Sequence, residues 1–121
     1  MSDPQQCTGE QAGPLIFRMP PVLEAGNAAR IGAELDAALM PGVTAVVADL
    51  TQTASCDPAG ARMLARAQRR AILLDAELRL AGPPAAVREV LGLTGLDRML
   101  PIYPNLAEAL DVQPLPELFD D

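Results

Sequence analysis

The run Asp57-Pro58-Ala59-Gly60 sets a carboxylate, a proline and two small residues between a strand-like stretch and a helix-like one, and Arg62, Arg66 and Arg69 follow at i, i+4 and i+7. A helix start gathers unpaired backbone amides and the positive end of the helix dipole, so its chemistry is that of anions: a carboxylate cap, a bound phosphate, or a hydroxyl that acquires one. Asp57 is a preferred N-cap residue. Pro58 then falls at the first helical position, where its missing N–H costs nothing and its φ already suits the helix. Because Pro58 removes one amide and Asp57 brings its own charge, an anion site here is weakened. Ser55, Thr53 and Thr51 are the hydroxyls left on the loop; they read as ordinary loop polars, with Ser55 and Thr53 the alternative acceptors if a phosphate is placed at all. Cys56 reads as a small buried residue rather than a reactive thiol, although a helix start lowers the pKa of an exposed cysteine.

Composition narrows the chemistry further. The 121 residues include no His, which removes the commonest general base and metal ligand, and no Trp, with one Tyr and two Phe. Stacking on bases is nearly excluded, and a net charge of -7 gives no general electrostatic reason to hold nucleic acid or anionic lipid. No phosphate-binding loop, nucleophile with a base, or metal-spaced cluster is visible, so neither an enzyme nor a cofactor is expected. The two cysteines, Cys7 and Cys56, read as free thiols in a reducing compartment, with a disulfide as the open alternative. Without a leader pattern or an apolar run near 18 residues, a cytoplasmic protein with no membrane insertion is expected.

The elements that must position this junction follow from periodicity. Residues 1–13 are polar and turn-rich, a flexible start or a weak edge strand. "LIFRM" is a short strand stopped by Pro20-Pro21. From Asn27, read as a cap, apolar residues at 28, 31, 35, 38 and 39 make an amphipathic helix that ends at Pro41-Gly42. "VTAVVADL" (43–50) is apolar without alternation, the pattern of an inner strand covered on both faces. A second helix runs from about 61 to 74, "ELRLAG" is a strand, and "PPAAVREVLGL" is a helix opened by prolines. "MLPIY" is a last strand, and "NLAEAL" a last helix with Asn105 as cap and Glu108 three residues on. The segment from Asp111 is an acidic, proline-broken tail in which Leu115, Leu118 and Phe119 are the apolar residues. Steady alternation of strand and helix predicts one α/β domain over 14–110, a mostly parallel sheet of four or five strands with about four helices.

Two stretches, "VVADLTQTASCDPAG" and "LRLAGPPAAVREVLGLTGLDRMLPIYPNLAEAL", make the chain resemble the STAS family over about residues 15–110. In that family a central strand ends in Asp-Leu and leads to Asp-Ser-Ser-Gly or Asp-Ser-Thr-Gly at a helix start; here the frame reads Asp49-Leu50, then Asp57-Pro58-Ala59-Gly60. "GLDRMLPIYPNLAEAL" is similar to the family's closing segment. For typical members, bacterial anti-sigma factor antagonists, the resemblance implies that the first Ser is phosphorylated by a partner that is both anti-sigma factor and Ser/Thr kinase. The unphosphorylated form binds that partner and frees the sigma factor. Pro58 stands at the phosphoacceptor position and Ala59 at the second hydroxyl, so phosphorylation at the usual place is excluded on covalent grounds.

What the resemblance implies for this chain is a protein-binding module whose partner is an anti-sigma factor or Ser/Thr kinase-type protein. The expected partner-binding residues are Asp57, Pro58, Ala59 and Gly60 of the motif, Arg62 and Arg66 of the following helix, and Glu24 and Asn27 of the "LEAGN" loop, which in relatives lies near the motif. Gly60 is expected to let another chain approach closely. The competing readings are a capped helix in a domain without that surface, a solvated arginine face, and a cap role for Asn27. A STAS regulatory subunit of a larger assembly, such as an ABC transporter or a signalling scaffold, is the alternative function.

Overall fold

An apolar run without alternation needs cover on both faces, and residues 45–49 receive it: Val46, Val47 and Ala48 are fully buried, and Ala45 and Asp49 nearly so. The computed structural model describes residues 14–111. In chain order the elements are β1 (Leu15–Arg18), β2 (Val22–Leu23), α1 (Ala25–Ala38), β3 (Ala45–Asp49), β4 (Ser55–Cys56), α2 (Pro58–Leu73), β5 (Glu77–Ala81), α3 (Ala85–Leu93), a 3-10 turn (Leu96–Arg98), β6 (Ile102–Tyr103) and α4 (Leu106–Leu110). β1, β3, β5 and β6 form a sheet in the order β1-β3-β5-β6 with every pair parallel, so β3 and β5 are the inner strands.

Alternation along β3 divides the core. Val46 and Ala48 join the large cluster with Leu35 of α1, Leu64 of α2 and Leu91 of α3, whereas Val47 packs on the other face with Ala81 of β5 and Ala109 of α4. Three helices therefore cover one face of the sheet and the short α4 part of the other. Arg79, on the α4 side, is only 8% exposed; its Nε donates to Glu77 Oε1 at 2.7 Å and its Nη1 to the Ala109 carbonyl at 2.9 Å. A buried guanidinium thus ties α4 to β5 through one charge-assisted bond, with its charge paired to Glu77 within β5.

The sheet has four strands, and a second, two-stranded parallel sheet pairs β2 with β4 in the register Val22↔Ser55 and Leu23↔Cys56. Pro20 and Pro21 end β1, and the chain then pairs again in a new direction: Ala54 N–H donates to the Pro21 carbonyl at 2.7 Å and Asp57 N–H to the Leu23 carbonyl at 3.0 Å. This small sheet brings the starts of α1 and α2 side by side. The last strand is shorter than the "MLPIY" run predicts, because Pro101 and Pro104 flank it and neither can donate to a ladder. The weak strand expected in 1–13, Cys7, and the tail residues Leu115, Leu118 and Phe119 lie outside the described residues.

Candidate functional site

The cap predicted at the motif is present. Asp57 has extended backbone, Pro58 is the first residue of α2, and Asp57 Oδ1 accepts from Gly60 N–H at 2.9 Å. The second carboxylate oxygen accepts from the N–H of Ala25, the first residue of α1, at 3.1 Å. The Gly60 bond above all, then those from Ala25 and Ala59 and the nearby Arg62 guanidinium, hold the carboxyl below its ordinary value, against partial desolvation. Asp57 is therefore a negatively charged clamp between two helix starts.

Two of the candidate residues, Asn27 and Gly60, have bonding or packing roles within the domain. Asn27 is not the cap of α1; Glu24 is, and the helix starts at Ala25. Asn27 lies in the first turn, half-buried, where its Oδ1 accepts from Glu24 N–H at 2.9 Å and its Nδ2 donates to the Val22 carbonyl at 2.7 Å. Both ends of its amide close the loop, and Glu24 is the residue left exposed. Gly60 is buried, and a Cβ built on it would lie 2.7 Å from Leu23 Cγ and 3.0 Å from the Leu23 carbonyl oxygen. The close approach it permits is that of α2 to β2 within the domain.

Pro58, Arg62, Arg66 and Arg69 are exposed and Ala59 is half-buried. Arg62, Arg66 and Arg69 make no ion pair among the described residues, whereas the neighbouring Arg70 lies 3.9 Å from Asp36 of α1. Of the loop hydroxyls, Ser55 is exposed. Thr53 is fully buried and donates to the Pro20 carbonyl at 2.8 Å. Thr51 is exposed, with its hydroxyl donating to Asp49 Oδ1 at 2.7 Å. Cys56 is a free, buried thiol; burial first, and the adjacent Asp57 charge second, push its pKa up to about 11. The lowering that a helix start gives an exposed thiol is outweighed by desolvation. No group of three His, Cys, Asp or Glu able to hold a metal occurs among the described residues.

The family model described as the STAS domain matches residues 8–109. This chain belongs to the STAS family. Solved structures similar to this STAS domain share its fold at low identity. A candidate anti-sigma factor antagonist from Thermotoga maritima superposes with a TM-score of 0.71 at 22% identity, over 86% of this chain and 96% of its own. The anti-sigma factor antagonist SpoIIAA in its unphosphorylated form gives 0.68 at 21%, over 79% and 84%. A sulfate transporter family protein from Wolinella succinogenes gives 0.70 at 18%, over 89% and 93%. No curated protein matches the sequence. No helix among the described residues of the STAS domain is long and apolar enough to cross a membrane.

The STAS domain thus brings Glu24, Asp57, Pro58, Ala59 and Arg62 to the paired starts of α1 and α2, with Arg66 one turn further along α2. Between those helices lies a cleft lined in part by Gly32, Met63 and Arg66, which the sequence reading did not anticipate. The signal was Gly32, a glycine inside a helix, where it costs stability without an obvious return.

Proposed function

We propose that this STAS domain is a non-enzymatic cytoplasmic binding module of the anti-sigma factor antagonist kind, acting in transcription regulation. Its partner is an anti-sigma factor or Ser/Thr kinase-type protein, not nucleic acid. What supports this is Pro58, exposed at the first position of α2 beside the Asp57 cap, with exposed Arg62 and Arg66 further along the same helix; by the resemblance, Pro58 stands for the phosphoacceptor serine. The geometry of a capped helix start is kept while the hydroxyl is gone. A domain so built resembles the unphosphorylated, binding-competent state of its relatives, because no charge can be added at Pro58 to repel a partner. Abundance or a third protein then sets its activity.

The test is to titrate the purified anti-sigma factors of the source cell one by one with the domain in the presence of ATP, and to read binding and mass together. The expected result is one binder that places no phosphate on residues 57–60 of the parent and, if it is a kinase, one phosphate on Pro58→Ser. Absence of any binder, or a binder that transfers phosphate to Ser55 of the parent and is released by it, contradicts the proposal.

A second reading, a regulatory subunit of a larger assembly such as an ABC transporter or a signalling scaffold, draws support from the likeness to the sulfate transporter family protein, which shares the fold. The identity of the protein that co-purifies from the source cell separates the two.

A further inference from the structure

Between α1 and α2 lies an open cleft of about 220 Å³. Half of its lining residues are alanine, including exposed Ala29 and Ala33, with Gly32 and Met63 facing each other across it and Arg66 and Asp36 also among them. A Cβ on Gly32 would come within 2.8 Å of Met63 Cγ, so glycine is what lets the helices close on Met63 there. The small residues leave side-chain volume unfilled along the rim, although a helix surface gains from covering such apolar walls.

Resting on the docking proposed above, we infer that this cleft receives one apolar side chain, of leucine, methionine or phenylalanine size, from the protein partner, with a partner carboxylate beside it on Arg66. Size is the first ground. A cavity of roughly 150 Å³ holds a benzene ring, whereas small-molecule sites run from about 300 Å³ upward, so the volume suits a side chain rather than a metabolite. Charge is the second. Asp36 has Arg70 nearby at 3.9 Å, while Arg66 has no carboxylate partner among the described residues, on a chain whose net charge is -7. Arg66 is therefore the lining cation free to pair with a partner's acid, although Asp36 lines the opposite wall. Continuity is the third: Arg62 and Arg66 lie one turn apart on α2, so the cleft extends the surface around Pro58. An anchor in a pocket flanked by a charge pair is how a few residues come to dominate an interface.

The experiment titrates the purified anti-sigma factors of the source cell by calorimetry against five forms of the domain: the parent, Ala29→Leu/Ala33→Leu, Arg66→Ala, Pro58→Glu, and Ala86→Leu. Ala29 and Ala33 are exposed on α1, so leucines there fill the mouth while leaving the core intact; Ala86, exposed on α3, is the control. The inference predicts at least tenfold weaker binding for the double leucine variant, a several-fold loss with a shallower salt dependence for Arg66→Ala, and parental affinity for Ala86→Leu. Carbon-13 spectra should show the Met63 methyl shifting when the bound factor is added to the parent. If Pro58→Glu weakens binding while the double leucine variant binds as the parent does and Met63 does not shift, the cleft is empty in the complex and the inference falls, the docking site standing without it. If neither affects binding, or no factor binds the parent, the docking site is elsewhere and both fall.

Discussion

Asp57 Oδ2 accepts the backbone N–H of Ala25 at 3.1 Å, across 32 residues of sequence, while its Oδ1 accepts that of Gly60 at 2.9 Å. One carboxylate therefore satisfies orphan amides at the starts of both α1 and α2 and fixes the spacing of the two helix starts that carry Glu24 and Pro58.

Asparagine has a single acceptor oxygen, so Asp57→Asn can serve one helix start but not both. The expected order of melting temperatures is parent, then Asp57→Asn, then Asp57→Ala, read by circular dichroism. Amide exchange should quicken at Ala25 or Gly60 in the asparagine variant, and at both in the alanine variant.

The same comparison has a pH signature. The Asp57 carboxyl is held below its ordinary value of 3.8 in the folded state, so between the folded and unfolded values the unfolded chain binds more protons. Its contribution is complete at neutral pH and is lost as pH falls below about 4 through the lowered folded value. A protonated Asp57 also has one strong acceptor, like asparagine. The stability gap between the parent and Asp57→Asn should therefore be constant from pH 7 to 5 and close on further acidification, measured by urea unfolding at each pH.

Helix and strand periods make most of this arrangement legible in the sequence. The unalternating 43–50 run marked the inner strand, and Asp57 with Pro58 marked the start of α2, because caps and proline positions act locally. The start of α1 was misread for a physical reason: Asn27 is a better cap type than Glu24, but β2 pairing delivers the chain already extended at Glu24, and Asn27 then bonds back to Glu24 N–H. The two-stranded sheet, the burial of Gly60 beneath Leu23, and the Gly32–Met63 cleft depend on residues about 30 or more positions apart. Local pattern carries no information about such pairs.

Two glycines should respond to alanine with opposite signs. Gly60→Ala forces Cβ against the Leu23 side chain and carbonyl, which a packed interior accommodates only by shifting, and it should destabilise by about 1–3 kcal/mol. Gly92, inside α3, has only an ordinary contact at 3.5 Å with Asp97 Oδ2, and alanine there should stabilise by about 0.5–1 kcal/mol. Urea unfolding midpoints at neutral pH measure both.

Cys56 should behave as an inert thiol. With a pKa near 11, about one molecule in a thousand is thiolate at pH 8, and the sulfur is also buried. In a Cys7→Ser background, alkylation by iodoacetamide at pH 8 should be slower by two orders of magnitude or more than in 8 M urea, where the thiol regains an ordinary pKa; equal rates would mean that the loop beneath the motif opens freely.

The proposal that the surface around Pro58 is a docking site without a covalent switch is tested most directly by calorimetric titration of the purified anti-sigma factors of the source cell against the parent, Pro58→Glu and Arg66→Glu, at low and at physiological salt. Both side chains are exposed, so both variants should keep the parent's circular dichroism. A fixed negative charge at residue 58 should weaken binding at least tenfold through like-charge repulsion and desolvation, and reversal at residue 66 should weaken it most at low salt, where the lost attraction is least screened. Parental affinity for both folded variants at both salt concentrations would contradict the account.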